Sequence, residues 1–231
     1  MDCRGEVVVD MFAGIGYYTV PYLAKARARH VYACEWNPDA LAALRHNLRV
    51  NGIADRCTVL PGDNRETCPR GVAHRVNLGL IPSSEMAWAA AVAALADGGG
   101  MLHVHANVND KEEREWVEAA ARRMEGHARD CGRAGWKVEV VHVERVKWYA
   151  PHVRHIVIDM RCVPVATISV SSPTIEQVAA IADARARGLG EACGKGEEEE
   201  AAASARSPLR TFAPSPGRAT LGGVRLAAAG A

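Results

Sequence analysis

The sequence predicts an α/β fold: a mostly parallel sheet of seven strands between helices, with its last two strands antiparallel. Three observations predict it. Apolar runs and amphipathic stretches alternate through the first 163 of the 231 residues, the pattern of successive strand–helix units. Residues 6–12 (EVVVDMF) are almost continuously apolar, as a central strand covered on both faces must be. The apolar runs 137–146 and 153–162 are separated by too short a connection for a crossover, so they must pair antiparallel.

After the first strand, residues 17–28 have helical spacing and 30–34 form a second strand. Asn37 then stands where an N-cap belongs, with Pro38 at the first helical position. Leu41, Leu44, Leu48 and Val50 supply the buried stripe of that helix, and Gly52 stops it. Residues 57–60 make a third strand and 76–81 a fourth. Ser83 or Ser84 caps an Ala-rich helix. Three glycines at 98–100 lead into a fifth strand, 101–105. Residues 110–129 read as a charged helix with Trp116, Ala120 and Met124 on one face.

Composition excludes several classes. A chain with 48% hydrophobic and 24% charged residues is globular. With 28 basic against 27 acidic residues, its net charge of +1 creates no field that by itself draws it to nucleic acid or anionic lipid. No apolar run is long enough to span a bilayer, and residues 1–5 carry no signal-peptide pattern. Seven cysteines without a C-x-x-C pair fit thiols in a reducing cytoplasm rather than a disulfide framework or zinc site. Composition shifts at Pro164. Residues 164–231 hold one aromatic, Phe212, and the acidic run 197–200. They read as a low-complexity, largely disordered tail with a short amphipathic helix at 175–186.

Ligands of such sheets bind beyond the carboxyl ends of the strands, where strand order reverses. The first strand runs into Asp10-Met11-Phe12-Ala13-Gly14-Ile15-Gly16, whose glycines allow a tight turn and close approach of a ligand to bare backbone. The amides opening the next helix face any carboxylate there. Glu35 ends the second strand 25 residues after Asp10, where an acid accepts hydrogen bonds from ribose hydroxyls. Asp63, beside Asn64, ends the third strand, placed for an adenine amino group. Three acids at successive strand ends around a glycine turn indicate an adenosine ligand. Thr19 replaces the third glycine of a dinucleotide fingerprint, which favours S-adenosylmethionine over a nicotinamide. The fourth strand ends in Gly79-Leu80-Ile81-Pro82-Ser83-Ser84-Glu85, a stiff loop facing the group to be alkylated; its serines suit either a planar base or a helix cap. His103 and His105 share a sheet face without a third metal ligand.

Five strand–helix units closed by an antiparallel pair are the arrangement of class I methyltransferases. Within it, DMFAGIGYYTVPYLAK, CEWNPDALAALRHNLRVNGIADRC, GDNR, GLIPSSE and VKWYAPHVRHIVIDMRC resemble the tRNA wybutosine-synthesising protein 2 family, a relative of the tRNA guanine-37 N1-methyltransferases. The resemblance covers residues 5–163. It implies transfer of the 3-amino-3-carboxypropyl group of S-adenosylmethionine to carbon 7 of the wyosine precursor at position 37 of phenylalanine tRNA, in the anticodon loop. It implies further that Asp10, Gly14 and Gly16 hold the methionine portion, that Glu35 binds the ribose, that Asp63 and Asn64 bind the adenine edge, and that Phe12 and Trp36 belong to the same cofactor site. Leu80, Ile81, Pro82 and Ser83 would line the transfer side, with Glu85 as candidate general base and no metal or membrane involved. Methyl transfer and an inactive cofactor-binding module are the alternatives. Relatives carry an additional N-terminal tRNA-docking region, which a separate polypeptide could supply.

Overall fold

The structure, a computed structural model, describes residues 1–165. The expected 164–231 tail and its 175–186 helix therefore lie essentially outside the described residues. Seven strands form one sheet in the order β3-β2-β1-β4-β5-β7-β6. They are β1 (Val7–Asp10), β2 (His30–Glu35), β3 (Cys57–Pro61), β4 (Arg75–Leu78), β5 (Gly100–Asn109), β6 (Trp136–Ala150) and β7 (Val153–Pro164). β7 is the sheet's sole antiparallel insertion, pairing with β5 on one side and β6 on the other. Strand order reverses between β1 and β4, which lie side by side in parallel register.

The helices are α1 (Thr19–Ala24), α2 (Pro38–Val50), α3 (Asn64–Thr67), α4 (Trp88–Ala94) and α5 (Glu113–Asp130). α1 and α2 bury Val20, Leu23, Leu44 and Leu48 against Val8, Val31 and Ala33 on one face. α4 and α5 bury Trp88, Val92 and Met124 against Leu78, Leu102, Val104, Ile156 and Ile158 on the other. Among the described residues no helix is long and apolar enough to cross a membrane.

Several elements differ from the sequence reading. α1 is shorter than 17–28, because the amides of Lys25 and Ala26 both bond to Pro21 and Arg27 turns left-handed (φ 63) to feed β2. In α2 the buried stripe includes Asn47 (0% exposed) rather than Val50 (42%). The Asn47 amide donates to the Ile15 carbonyl (2.9 Å), fastening α2 to the glycine turn. β4 stops at Leu78 rather than Ile81. β5 and β6 run longer than predicted because β7 pairs along their whole length, past two-sided polar segments that apolar patterning cannot see.

Candidate functional site

Asp10 ends β1 and is fully buried. Its carboxylate accepts from Thr19 Oγ1 (2.7 Å) and Asn77 Nδ2 (3.1 Å), and from the main-chain N–H groups of Phe12 and Thr19. Burial pushes its pKa up while these bonds pull against that rise. These bonds make Asp10 the joint that locks β1, α1 and β4 together at the switch point. Of the amides that open α1, that of Thr19 turns to Asp10 and that of Val20 to the Gly16 carbonyl.

The glycine turn divides its two glycines between packing and access. At Gly16 (φ 102) a Cβ would stand 3.0 Å from side chains of both Leu44 and Val20. At Gly14 (φ 53) nothing lies within 4 Å of that position, so bare backbone faces open space. Glu35 braces this turn. Its Oε2 accepts from Gly14 N–H (2.8 Å), and its Oε1 from the N–H groups of Trp36 (3.0 Å) and Asn37 (2.8 Å). A carboxylate has about four acceptor positions, so roughly one remains for a ligand hydroxyl.

Asp63 caps α3 through Arg65 N–H (2.9 Å) and holds the Arg65 guanidinium in a two-pronged pair. Arg65 keeps its pKa down at about 2, so the carboxylate is charged at any physiological pH. Asn64 donates its amide to the Met11 carbonyl (2.7 Å), joining the end of β3 to that of β1. Beside these groups opens a cavity of about 530 Å³ lined by Phe12, Trp36, Asp63, Asn64, Arg65, Leu80 and Met86. It gathers residues that follow β1, β2, β3 and β4, separated in sequence and brought together by strand order alone. Trp36 (75% exposed) and Met86 (59%) form an apolar mouth. Sequence reasoning missed Arg65 and Met86; the only available signal for either was adjacency to a predicted position.

The loop after β4 contributes Leu80 to the cavity, while Ile81, Pro82 and Ser83 turn toward β5. The Pro82 carbonyl accepts from Asn107 N–H (2.9 Å), and Ser83 bridges to Ala106. Ser83 Oγ accepts from Glu85 N–H (3.2 Å), a cap-like bond, whereas Ser84 Oγ accepts from the Trp88 indole. Glu85, the candidate base, pairs with Arg123 of α5 and stands apart from the lining of this cavity.

A second cavity, about 520 Å³, opens on the α1 face of β4, β5 and β7, beside Tyr18, Tyr22, Asn77, His103, His105 and Asp159. It contains none of the predicted site residues. Both nitrogens of the His103 ring are engaged, by Asp159 and by Arg75, which also pairs with Glu6. His105 packs edge-on to Tyr18, and burial followed by the nearby His155 lowers its pKa to about 4. No group of three or more His, Cys, Asp or Glu is placed to hold a metal among the described residues.

Comparison with known proteins matches residues 2–136 to the TRM5/TYW2 methyltransferase domain. The rice "tRNA wybutosine-synthesizing protein 2/3/4" is 57% identical over 162 residues, covering 70% of this chain and 15% of the rice protein. The chain thus spans a small part of that relative's length. The structure of M. jannaschii TYW2 in complex with AdoMet superposes with a TM-score of 0.64 at 32% identity, over 71% of this chain and 72% of that one. P. horikoshii TYW2 in complex with MeSAdo gives 0.62 at 30%, over 71% and 59%.

Proposed function

The chain belongs to the TRM5/TYW2 methyltransferase-domain family, and from that premise we propose that it is an S-adenosylmethionine-dependent transferase that modifies tRNA in the cytoplasm. Its reaction in this reading is aminocarboxypropyl transfer to carbon 7 of the wyosine precursor at position 37 of phenylalanine tRNA, a step of wybutosine biosynthesis. The observation that carries the proposal is the cavity gathering Phe12, Trp36, Asp63, Asn64 and Leu80 beyond the strand ends.

Those residues fit the cofactor. At about 530 Å³ the cavity falls within the usual range of small-molecule sites. Phe12, Leu80 and Met86 offer apolar surface to a purine, and charged Asp63 accepts from its amino group. The amide oxygen of Asn64 remains for a second edge contact. Glu35 takes a ribose hydroxyl at its remaining acceptor position, and open Gly14 lets the ligand approach the turn. Bound, the cofactor supplies a carbon chain activated by an adjacent sulfonium. The chain's own work is to orient that ligand and exclude water around it. Transfer then depends on the γ-carbon, rather than the methyl, standing in line with the accepting carbon at about 3–3.5 Å. Such a transfer would exchange the ligand's sulfur–carbon bond for a carbon–carbon bond to the base, leaving the electron pair on sulfur and releasing the carbon 7 proton to solvent on the RNA side. The choice of aminocarboxypropyl over methyl rests on similarity to the wybutosine-synthesising relatives, one of which was solved with MeSAdo.

Incubation with S-adenosylmethionine and precursor-bearing phenylalanine tRNA tests the proposal. Release of methylthioadenosine is expected, while S-adenosylhomocysteine would reassign the chain to methyl transfer. Turnover only after the remainder of a longer relative is added would identify a separate polypeptide as part of the working enzyme. No turnover in either arm would refute the assignment.

A further inference from the structure

The site described above uses β6 and β7 only for their pairing, yet the outer half of this hairpin combines basic and aromatic side chains without acidic ones. Residues 145–158 contain Arg145, Lys147 and Arg154, together with His152 and His155, and not one Asp or Glu; Arg145 is paired with Glu113 of α5 and His152 with Asp110, so the patch rests on Lys147 and Arg154. The same stretch leaves Trp148 (55%) and Tyr149 (59%) exposed. Large aromatics normally bury themselves, so two of them side by side on an edge strand need a partner or a reason.

Register places this half of the hairpin. Val153 pairs with Asn109, the last residue of β5, and Ala150 pairs with Val153. The tip therefore stands at the carboxyl-end edge of the parallel strands, the edge that carries the cavity. The Arg154 guanidinium lies 4.1 Å over the Trp148 ring centroid. That contact steadies the indole and covers one of its faces while leaving the other free. Register shifts between Arg145 and Lys147 and between Trp148 and Ala150 mark irregularities, which twist the strand and re-aim its side chains.

A surface built to bind protein is depleted in Lys at its centre. Cations interleaved with exposed rings fit an unpaired nucleic acid strand instead, whose phosphates meet the charges and whose bases stack on the aromatics. We propose that the outer half of the β6–β7 hairpin binds single-stranded RNA, with Trp148 stacking an unpaired base and Lys147 and Arg154 meeting the flanking phosphates. The inference deepens the proposed function and takes from it the identity of the RNA as tRNA, its chemical class being read from the hairpin.

Fluorescence anisotropy of the full chain tests it, using a labelled unpaired RNA of about twelve nucleotides and the same sequence as a duplex. Binding should favour the unpaired strand. Trp148→Ala should weaken it roughly 5- to 150-fold, as loss of one base stack does, and Trp148→Phe should recover most of that. Lys147→Gln and Arg154→Gln should each reduce the salt slope by about 0.7. Calorimetry with S-adenosylmethionine on the same preparations shows that the variants are folded and separates the two readings. RNA binding that depends on the hairpin without cofactor binding would uphold the inference and sink the proposed function. Cofactor binding with RNA affinity indifferent to Trp148→Ala would do the reverse. Equal affinity for duplex, no RNA binding, or retention on phosphatidylserine vesicles in its place would each overturn the inference.

Discussion

Glu35→Ala tests how the crevice is built, because one side chain braces the turn and, in the proposed function, meets the ligand. Three main-chain N–H groups lose their acceptor, those of Gly14, Trp36 and Asn37. The latter two sit in exposed bonds and can turn to water, so the structural cost comes chiefly from Gly14, whose bond is partly buried. A hydrogen bond to a charged group is worth about 1.5–3 kcal/mol. For a domain of this size that lowers the melting temperature by roughly 3–12 °C. Loss of the ribose contact, on the same scale, should weaken S-adenosylmethionine by about 2 kcal/mol or more, close to thirtyfold. Thermal unfolding reads the first effect and calorimetry the second, at a temperature where the variant is folded. Glu35→Gln keeps one acceptor oxygen and should lie between the two. If the alanine variant matches the parent in both melting temperature and dissociation constant, the bracing role and the ligand role are both wrong.

Leu80→Trp should fill the cavity and abolish cofactor binding with little loss of stability, and calorimetry showing unchanged affinity would place the ligand elsewhere. Gly99→Ala should unfold much of the protein at moderate temperature, since a Cβ there would stand 2.2 Å from the Cys162 carbonyl at φ 88; a parental melting curve would contradict the packing of β5 on β7. His105 should make the fold acid-labile. Its imidazole titrates at about 4 in the fold against 6.5 in the free chain, so the unfolded state binds more protons between those values. Stability is therefore retained above about pH 6.5 and falls toward pH 4, by up to roughly 3 kcal/mol. Urea titrations at stepped pH should show this slope in the parent and a shallower one in His105→Gln.

Periodicity and turn chemistry made most elements legible, and strand ends drew attention to Phe12, Trp36, Asp63, Asn64 and Leu80 before any coordinates. What stayed hidden depends on pairings between distant residues. The strand-end position of Asp10 does not foretell that Thr19 and Asn77 arrive from two other elements to enclose it. The pairing of Glu85 with Arg123, 38 residues away, is equally hidden. Val50 outranks Asn47 on hydrophobicity, yet only Asn47 can satisfy the Ile15 carbonyl inside the fold. The reach of β6 through Lys147, Trp148 and Tyr149 is likewise invisible to apolar patterning, because an edge strand need not be greasy.

The enclosure of Asp10 has a consequence for reading genetic variation. With both oxygens committed to β4 and α1, replacing it dismantles the joint between two strands before any substrate is involved. Such variants should surface in cells as scarce protein, cleared by quality control, whereas changes at Trp36 or Asp63 should, if the proposed function holds, leave abundance intact and lower activity. Measuring protein level beside the proposed tRNA modification would separate the two kinds of damage.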